Sequence, residues 1–135
     1  GPEYRVHEVE HFDPAPMHID GTFYPLAPGK LMINPVRVKK VPDVFKRAGW
    51  DILVAPYPGK MRGGYTASKW IGMNVLMLDE KRVICDKGSE EMIKAFKEWG
   101  FTPILVEFGA NQKIQGGFHC ATLDIRRRGG LQSYL

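Results

Sequence analysis

Apolar and polar residues alternate at period two from Tyr4 to His11, a pattern that predicts a strand with one buried face. His18 to Leu26 and Lys30 to Asn34 read as a second strand and its returning partner. Asp13-Pro14-Ala15-Pro16 breaks off the first, and Ala27-Pro28-Gly29 turns the second back into the third. The period then changes. Val44, Phe45 and Ala48 make a helical stripe over Pro42 to Ala48, with the proline in the first turn and Gly49 as the stop, and the aliphatic run Asp51 to Ala55 follows as a strand.

The same order then runs a second time. Met73 to Leu78 reads as a strand, Asp79-Glu80-Lys81 as a turn and Arg82 to Cys85 as the returning strand. Ser89 caps a helix that runs to Trp99 with Met92, Ile93, Phe96 and Trp99 on one side, Gly100 ends it, and Pro103 to Val106 is the next buried strand. The two stop glycines, Gly49 and Gly100, are 51 positions apart, each followed by an aromatic residue and an aliphatic run. The pattern is two β-β-α-β units, approximately 18–56 and 70–107, in one α/β domain of residues 1–135. A repeat of this length belongs to propellers and arrays, whose units cover each other's apolar faces. Two units leave a flank open, to be met by more chain, a partner or a second copy, so a homo-oligomer is expected.

Composition narrows the class. The chain has 135 residues, 44% of them hydrophobic and 25% charged, which is globular and not disordered. No apolar run approaches the ~18 residues of a membrane span, so no membrane partner is expected. The leading Gly1-Pro2 reads as the remnant of tag cleavage. Lys and Arg exceed Asp and Glu by 19 to 15, yet the excess is scattered apart from Lys39-Lys40 and Arg126-Arg127-Arg128. With no recognition motif beside it, nucleic acid is not expected as a partner. Cys85 and Cys120 show neither disulfide spacing nor a CxxC metal pattern, so they are read as free thiols in a reducing, cytoplasmic setting, with no metal and no cofactor.

Two long polar connections, Tyr57 to Ser68 and Phe108 to Gly117, have the size and composition of functional loops. The second leads into the segment 115–128. There Gly116 and Gly117 deliver Cys120 to the start of a strand-like run, where its sulfur can face a cleft. The residues alone leave two readings open: Cys120 is a nucleophile, or a small buried hydrophobe. If the units pack side by side, Met17-His18-Ile19-Asp20 and Gly117-Phe118-His119-Cys120 meet at one rim, bringing together a cysteine, a histidine and a carboxylate.

The stretches MHIDGTFYPLAPGKLMINP, SKWIGMNVLMLDEKRVICD and GGFHCATLDIRRRGGLQSYL resemble, in order and over nearly the whole chain, the carboxyl-terminal part of the arginine:glycine amidinotransferase family. Its superfamily, the pentein proteins, builds an α/β propeller from five β-β-α-β units, so the resemblance implies a partial propeller. It also implies transfer of an amidino group from arginine to an amine acceptor. Cys120 matches the nucleophile and His18 the general acid and base. Asp20 matches a carboxylate that grips the guanidinium, Arg37 an arginine for the substrate carboxylate, and Ser68 a serine of the same cleft. Met17 and His119 flank these positions and are read as lining the site. Lys69, Trp70, Met73 and Met77 are read as cleft-wall packing, Cys85 as inert core, and Arg126 to Arg128 as a charged surface or intersubunit site.

The resemblance further implies that the carboxylate orienting the histidine, and another that binds guanidinium, precede the region present here. Ala67-Ser68 stands where the family often has two serines. Three outcomes are therefore open: an amidinotransferase, a catalytically incomplete chain that binds guanidino compounds or a protein partner, or a deiminase-like hydrolase in which water replaces the amine.

Overall fold

The computed structural model describes residues 6–8, 12, 18–59, 68–129 and 133. Two three-stranded sheets of identical topology form the described part. In the first, β1 (Phe23–Ala27) pairs antiparallel with β2 (Lys30–Ile33), and β2 pairs parallel with β3 (Asp51–Val54) after crossing over through helix α1 (Asp43–Arg47). In the second, β4 (Leu76–Met77), β5 (Arg82–Asp86) and β6 (Thr102–Val106) repeat that order around helix α2 (Glu90–Glu98). A third short helix, α3 (Gly109–Gln112), lies in the connection that follows.

Local chemistry explains the elements. Pro25 and Pro103 are tolerated because β1 and β6 are edge strands, where a missing N–H breaks no ladder on the open side. Gly29, Gly49 and Gly100 take positive φ of 75°, 71° and 84° at the hairpin and the two helix ends, a conformation costly for residues with a Cβ. Met92, Ala95 and Phe96 are the buried stripe of α2, while Glu90 and Glu91 at its start and Lys97 at its end suit the helix dipole.

Two buried clusters cover the strands. Leu31 and Ile33 point from β2 toward α1, into a cluster with Phe23, Val38, Val41 and Phe45. Met32 points the other way, into the larger cluster shared with Met73, Val75, Met77, Val83, Cys85, Met92 and Phe96 of the second unit. The central strand is therefore apolar at consecutive positions because both of its faces are covered. Polar links cross the same seam: the Tyr24 hydroxyl donates to Val75 O at 3.2 Å, and Lys30 Nζ donates to Trp99 O, at the end of α2, at 2.8 Å.

Several expectations need correction. His18 to Leu26 is not one strand: Ile19–Gly21 is a 3-10 turn, and the strand begins only at Phe23. The expected strand from Met73 shrinks to Leu76–Met77, because Ile71–Met73 also forms a 3-10 turn. Ser89 occupies the position before α2 but makes no capping bond with its side chain. The neighbouring Asp86 holds that turn instead, accepting from Gly88 N and Phe108 N at 3.1 and 3.0 Å. β6 is half-exposed, with Leu105 and Val106 open on its outer edge, where a buried strand was expected. Of the strand expected at Tyr4 to His11, residues 6–8 are described and form none, and the rest lies outside the described residues. Among the described residues no helix is long and apolar enough to cross a membrane.

Candidate active site

Four local structures meet where the sheets begin and end. The first is the 3-10 turn Ile19–Gly21, which carries Asp20. Its carboxylate is buried, and its Oδ2 accepts hydrogen bonds from Asn74 Nδ2 and contacts His119 Nδ1, each at 2.9 Å. The second is the turn after β2. Fully buried Asn34 accepts from Val36 N and Arg37 N with Oδ1, at 3.0 and 3.2 Å, and donates to Gly21 O at 3.1 Å. Arg37 Nη1 donates to the same Gly21 carbonyl at 3.1 Å, and Nη2 reaches Ser68 Oγ at 3.4 Å. The arginine is thereby tied to the turn that holds Asp20.

The third structure is the 3-10 turn Ile71–Met73 with Asn74 after it, and the fourth is the turn around Cys120. Cys120 does not open a strand, as its sequence context suggests. Ala121 N donates to Gly117 O at 3.1 Å and Thr122 Oγ1 to Phe118 O at 2.8 Å, so the chain curls into a single tight turn that local hydrogen bonds favour over an extended run. Gly117 serves it by proximity. A Cβ there would sit 2.5 Å from Asn74 O, a distance side chains do not tolerate. The positive φ of this segment falls on Gln115, at 69°, rather than on the glycine pair.

These turns bring together His18, Asp20 and Cys120: one ligand atom from each lies within 4.8 Å of the others. His18 and Cys120 are exposed around the buried carboxylate. Arg37 and Ser68 stand beside them, and His119 adjoins both Asp20 and Tyr24, whose ring it meets edge-on at 5.4 Å. Met17 lies outside the described residues. Met73 and Met77 are core residues, and Cys85 is fully buried, with its thiol pushed up to about 11 by that burial and then by the charge of Asp86. Burial, with Asp20 next, pushes the Tyr24 hydroxyl up to about 12. Arg127 pairs with Asp124 and donates to Met77 O at 2.8 Å, which seats the arginine run against β4.

One residue escaped the sequence reading. Asn74 donates to Asp20 Oδ2 and to Cys120 Sγ, both at 2.9 Å, and its Oδ1 accepts from Cys120 N at 3.1 Å. Its own carbonyl accepts from Phe118 N at 2.9 Å. The signal was present: a lone amide inside the apolar run Gly72-Met73-Asn74-Val75-Leu76-Met77 must be satisfied if that run is buried. Two clefts among the described residues, about 450 and 1110 Å³, lie alongside, and neither is lined by His18 or Cys120.

No family model matches the chain. It is 54% identical over its full length to an L-arginine:L-lysine amidinotransferase of Pseudomonas savastanoi pv. phaseolicola, of which it covers 37%. It is 45% identical over 98% of its length to the mitochondrial glycine amidinotransferase of Xenopus tropicalis, of which it covers 32%. The chain thus spans about a third of the length of these curated relatives. Among solved structures, an amidinotransferase of Microseira wollei from the saxitoxin biosynthetic pathway superposes over 99% of this chain and 38% of its own, with a TM-score of 0.94 and 53% identity. The agmatine deiminase of C. jejuni superposes over 85% of this chain and 40% of its own, with a TM-score of 0.59 at 18% identity, a likeness of fold alone. Over its length the chain is similar to a portion of these amidinotransferases, and it shares the pentein fold with them.

Proposed function

We propose that the chain supplies the nucleophile, the proton carrier and one guanidinium-binding carboxylate of an amidinotransferase site. The observation that supports this most is the convergence of His18, Asp20 and Cys120 within 4.8 Å. A guanidinium carbon is a weak electrophile because its charge is delocalised, so its plane must be fixed and a thiolate brought to it. In this reading Asp20, set by Asn74 and His119, holds the guanidinium. The Cys120 thiolate forms the C–S bond to the central carbon. The C–N bond to the donor's alkyl amine then breaks, with His18 giving that nitrogen its proton. An acceptor amine next attacks the amidino-cysteine, His18 takes its proton, and the thiolate leaves. Arg37, braced by Gly21 O and Ser68, suits the carboxylate of an amino-acid substrate, with arginine as donor and glycine or another amine as acceptor.

The same reading makes the two units part of a five-unit propeller, their open flanks met by further chain or by a second copy of the protein. The carboxylate that would orient His18 comes in this view from outside the present residues, as the family resemblance implies.

The experiment is the intact mass of the chain after incubation with arginine, beside Cys120→Ala. The expected result is a gain of about 42 Da on Cys120, one amidino group replacing a proton, that glycine removes. A folded chain that takes up no adduct would leave only guanidino binding. Citrulline formed with no acceptor present would replace transfer by hydrolysis.

A further inference from the structure

The three groups that converge at this site are also metal ligands. His18 offers a ring nitrogen, Asp20 a carboxylate oxygen and Cys120 its sulfur. We propose that they form an open zinc site, which Zn²⁺ occupies in exclusion of a guanidino compound. The sequence hides it, because Cys120 lies about a hundred positions from His18 and Asp20 and no CxxC or paired-histidine spacing announces the group.

The donor set selects the ion. Nitrogen, oxygen and sulfur together suit borderline Zn²⁺, whereas Mg²⁺ and Ca²⁺ take oxygen ligands. In tetrahedral zinc sites with bonds of about 2.0–2.3 Å, donor atoms stand about 3.3–3.8 Å apart, so a group spread over 4.8 Å closes by about 1 Å. His18 and Cys120 are exposed, and rotamer changes can supply that movement, while Asp20 is the buried anchor.

The anchor is already oriented as metal ligands usually are. Asn74 and His119 both engage Asp20 Oδ2, and Oδ1 carries no hydrogen bond among the described residues. The bond from Asn74 Nδ2 to Cys120 Sγ holds the sulfur over the same spot, and a thiolate bound to zinc keeps lone pairs for it. On binding, the thiol proton passes to solvent and the S–Zn bond forms, with no change of oxidation state. Three protein ligands leave the fourth position to water, the arrangement of an open site rather than a structural one. Zinc would then switch off amidino transfer, a consequence that rests on the function proposed above; the binding itself does not.

The test titrates the 135-residue chain with Co²⁺ as a spectroscopic stand-in, then with Zn²⁺ against a chromophoric chelator. One equivalent is expected, with thiolate-to-cobalt charge-transfer absorption in the near ultraviolet that Zn²⁺ abolishes. Zinc binding is expected to weaken about 100-fold in His18→Ala and in Cys120→Ala, and to stay within about twofold in Cys85→Ala. Zinc is also expected to slow alkylation of Cys120 about tenfold or more. Absence of the charge-transfer band, or zinc binding of undiminished strength in His18→Ala, overturns the site. Should Cys120→Ala lose its circular dichroism signature of folding, His18→Ala, altered at an exposed side chain, decides. The mass assay separates the two proposals: an adduct without zinc binding refutes this one alone, and zinc binding without an adduct refutes only the enzymatic reading.

Discussion

Asn74 holds Cys120 at two points, donating to its sulfur at 2.9 Å and accepting from its backbone N–H at 3.1 Å, while the same amide nitrogen donates to Asp20. A buried amide thus sets the separation between the sulfur and the carboxylate. Asn74→Asp keeps an acceptor for Cys120 N but loses both donors and places a second anion beside Asp20. On the reaction proposed above, amidino adduct formation is expected to slow about 10- to 100-fold in Asn74→Asp and Asn74→Ala, well beyond the change in unfolding midpoint, because small misplacements of the attacking group are costly. Single-turnover mass measurements beside urea unfolding check it. Adduct formation within twofold of the parent rate would remove Asn74 from the site.

Gly117→Ala tests the close approach of the cysteine turn. Its Cβ would press on the Asn74 carbonyl, which is backbone and cannot swing aside. A loss of about 1–3 kcal/mol is expected, from overpacking. Gly109→Ala has open space around its Cβ and lies in α3, so it should be neutral or gain up to about 1 kcal/mol. Urea unfolding of both variants gives the comparison.

The two cysteines should react unequally. Cys85 is fully buried with its thiol pushed up to about 11, whereas Cys120 is exposed. One equivalent of iodoacetamide at pH 8 is expected to label Cys120 almost exclusively, as read by peptide mapping. Substantial early labelling at Cys85 would contradict the packing of β5.

A pH dependence follows from the same thiol. Its folded value lies above the ordinary 9.0, so the folded chain holds the proton more tightly than the unfolded one. That contribution is fully present below about pH 9 and is lost as pH rises through about 11, on the order of 2–3 kcal/mol in all. Tyr24, pushed up from 10.0 to about 12, extends the loss to higher pH. Unfolding midpoints should fall across this window, and the slope between pH 9 and 11 should be shallower in Cys85→Ala.

Lys30→Met tests the tether across the seam. It removes the bond to Trp99 O and the contact of the ammonium with the Phe101 ring, 5.4 Å from its centroid, while keeping most of the aliphatic stem. A loss of about 1–2 kcal/mol is expected by thermal unfolding. No change would mean that water serves the Trp99 carbonyl equally well.

Periodicity made the repeat legible. The stripe of α2, the apolar run of β2 and the glycines at 49 and 100 are local signals, and the elements stand within one or two residues of where those signals put them. Ile19–Gly21, Met73 and Cys120 fall in stretches that read as strand but form turns, because a short strand-like stretch does not distinguish a strand from a turn pinned by distant partners. Asn74 was missed for a related reason. Its partners, Asp20 and Cys120, lie 54 and 46 positions away, and only the fold brings them within reach. His18, Asp20 and Cys120 came instead through family likeness, and their grouping through the structure.

Four of the six methionines, Met32, Met73, Met77 and Met92, fill the cluster between the two units. Asp20 precedes β1 of the first unit and Asn74 precedes β4 of the second, and the two are joined across the seam by a 2.9 Å bond. Unbranched thioether chains repack at little cost, so the layer works like an adjustable shim between the halves of a clamp. A change such as Met32→Leu alters no group of the candidate site, yet it acts on the layer that spaces the two units carrying that site. The fit of the two units is therefore adjustable from inside the core, with no substitution at the site itself.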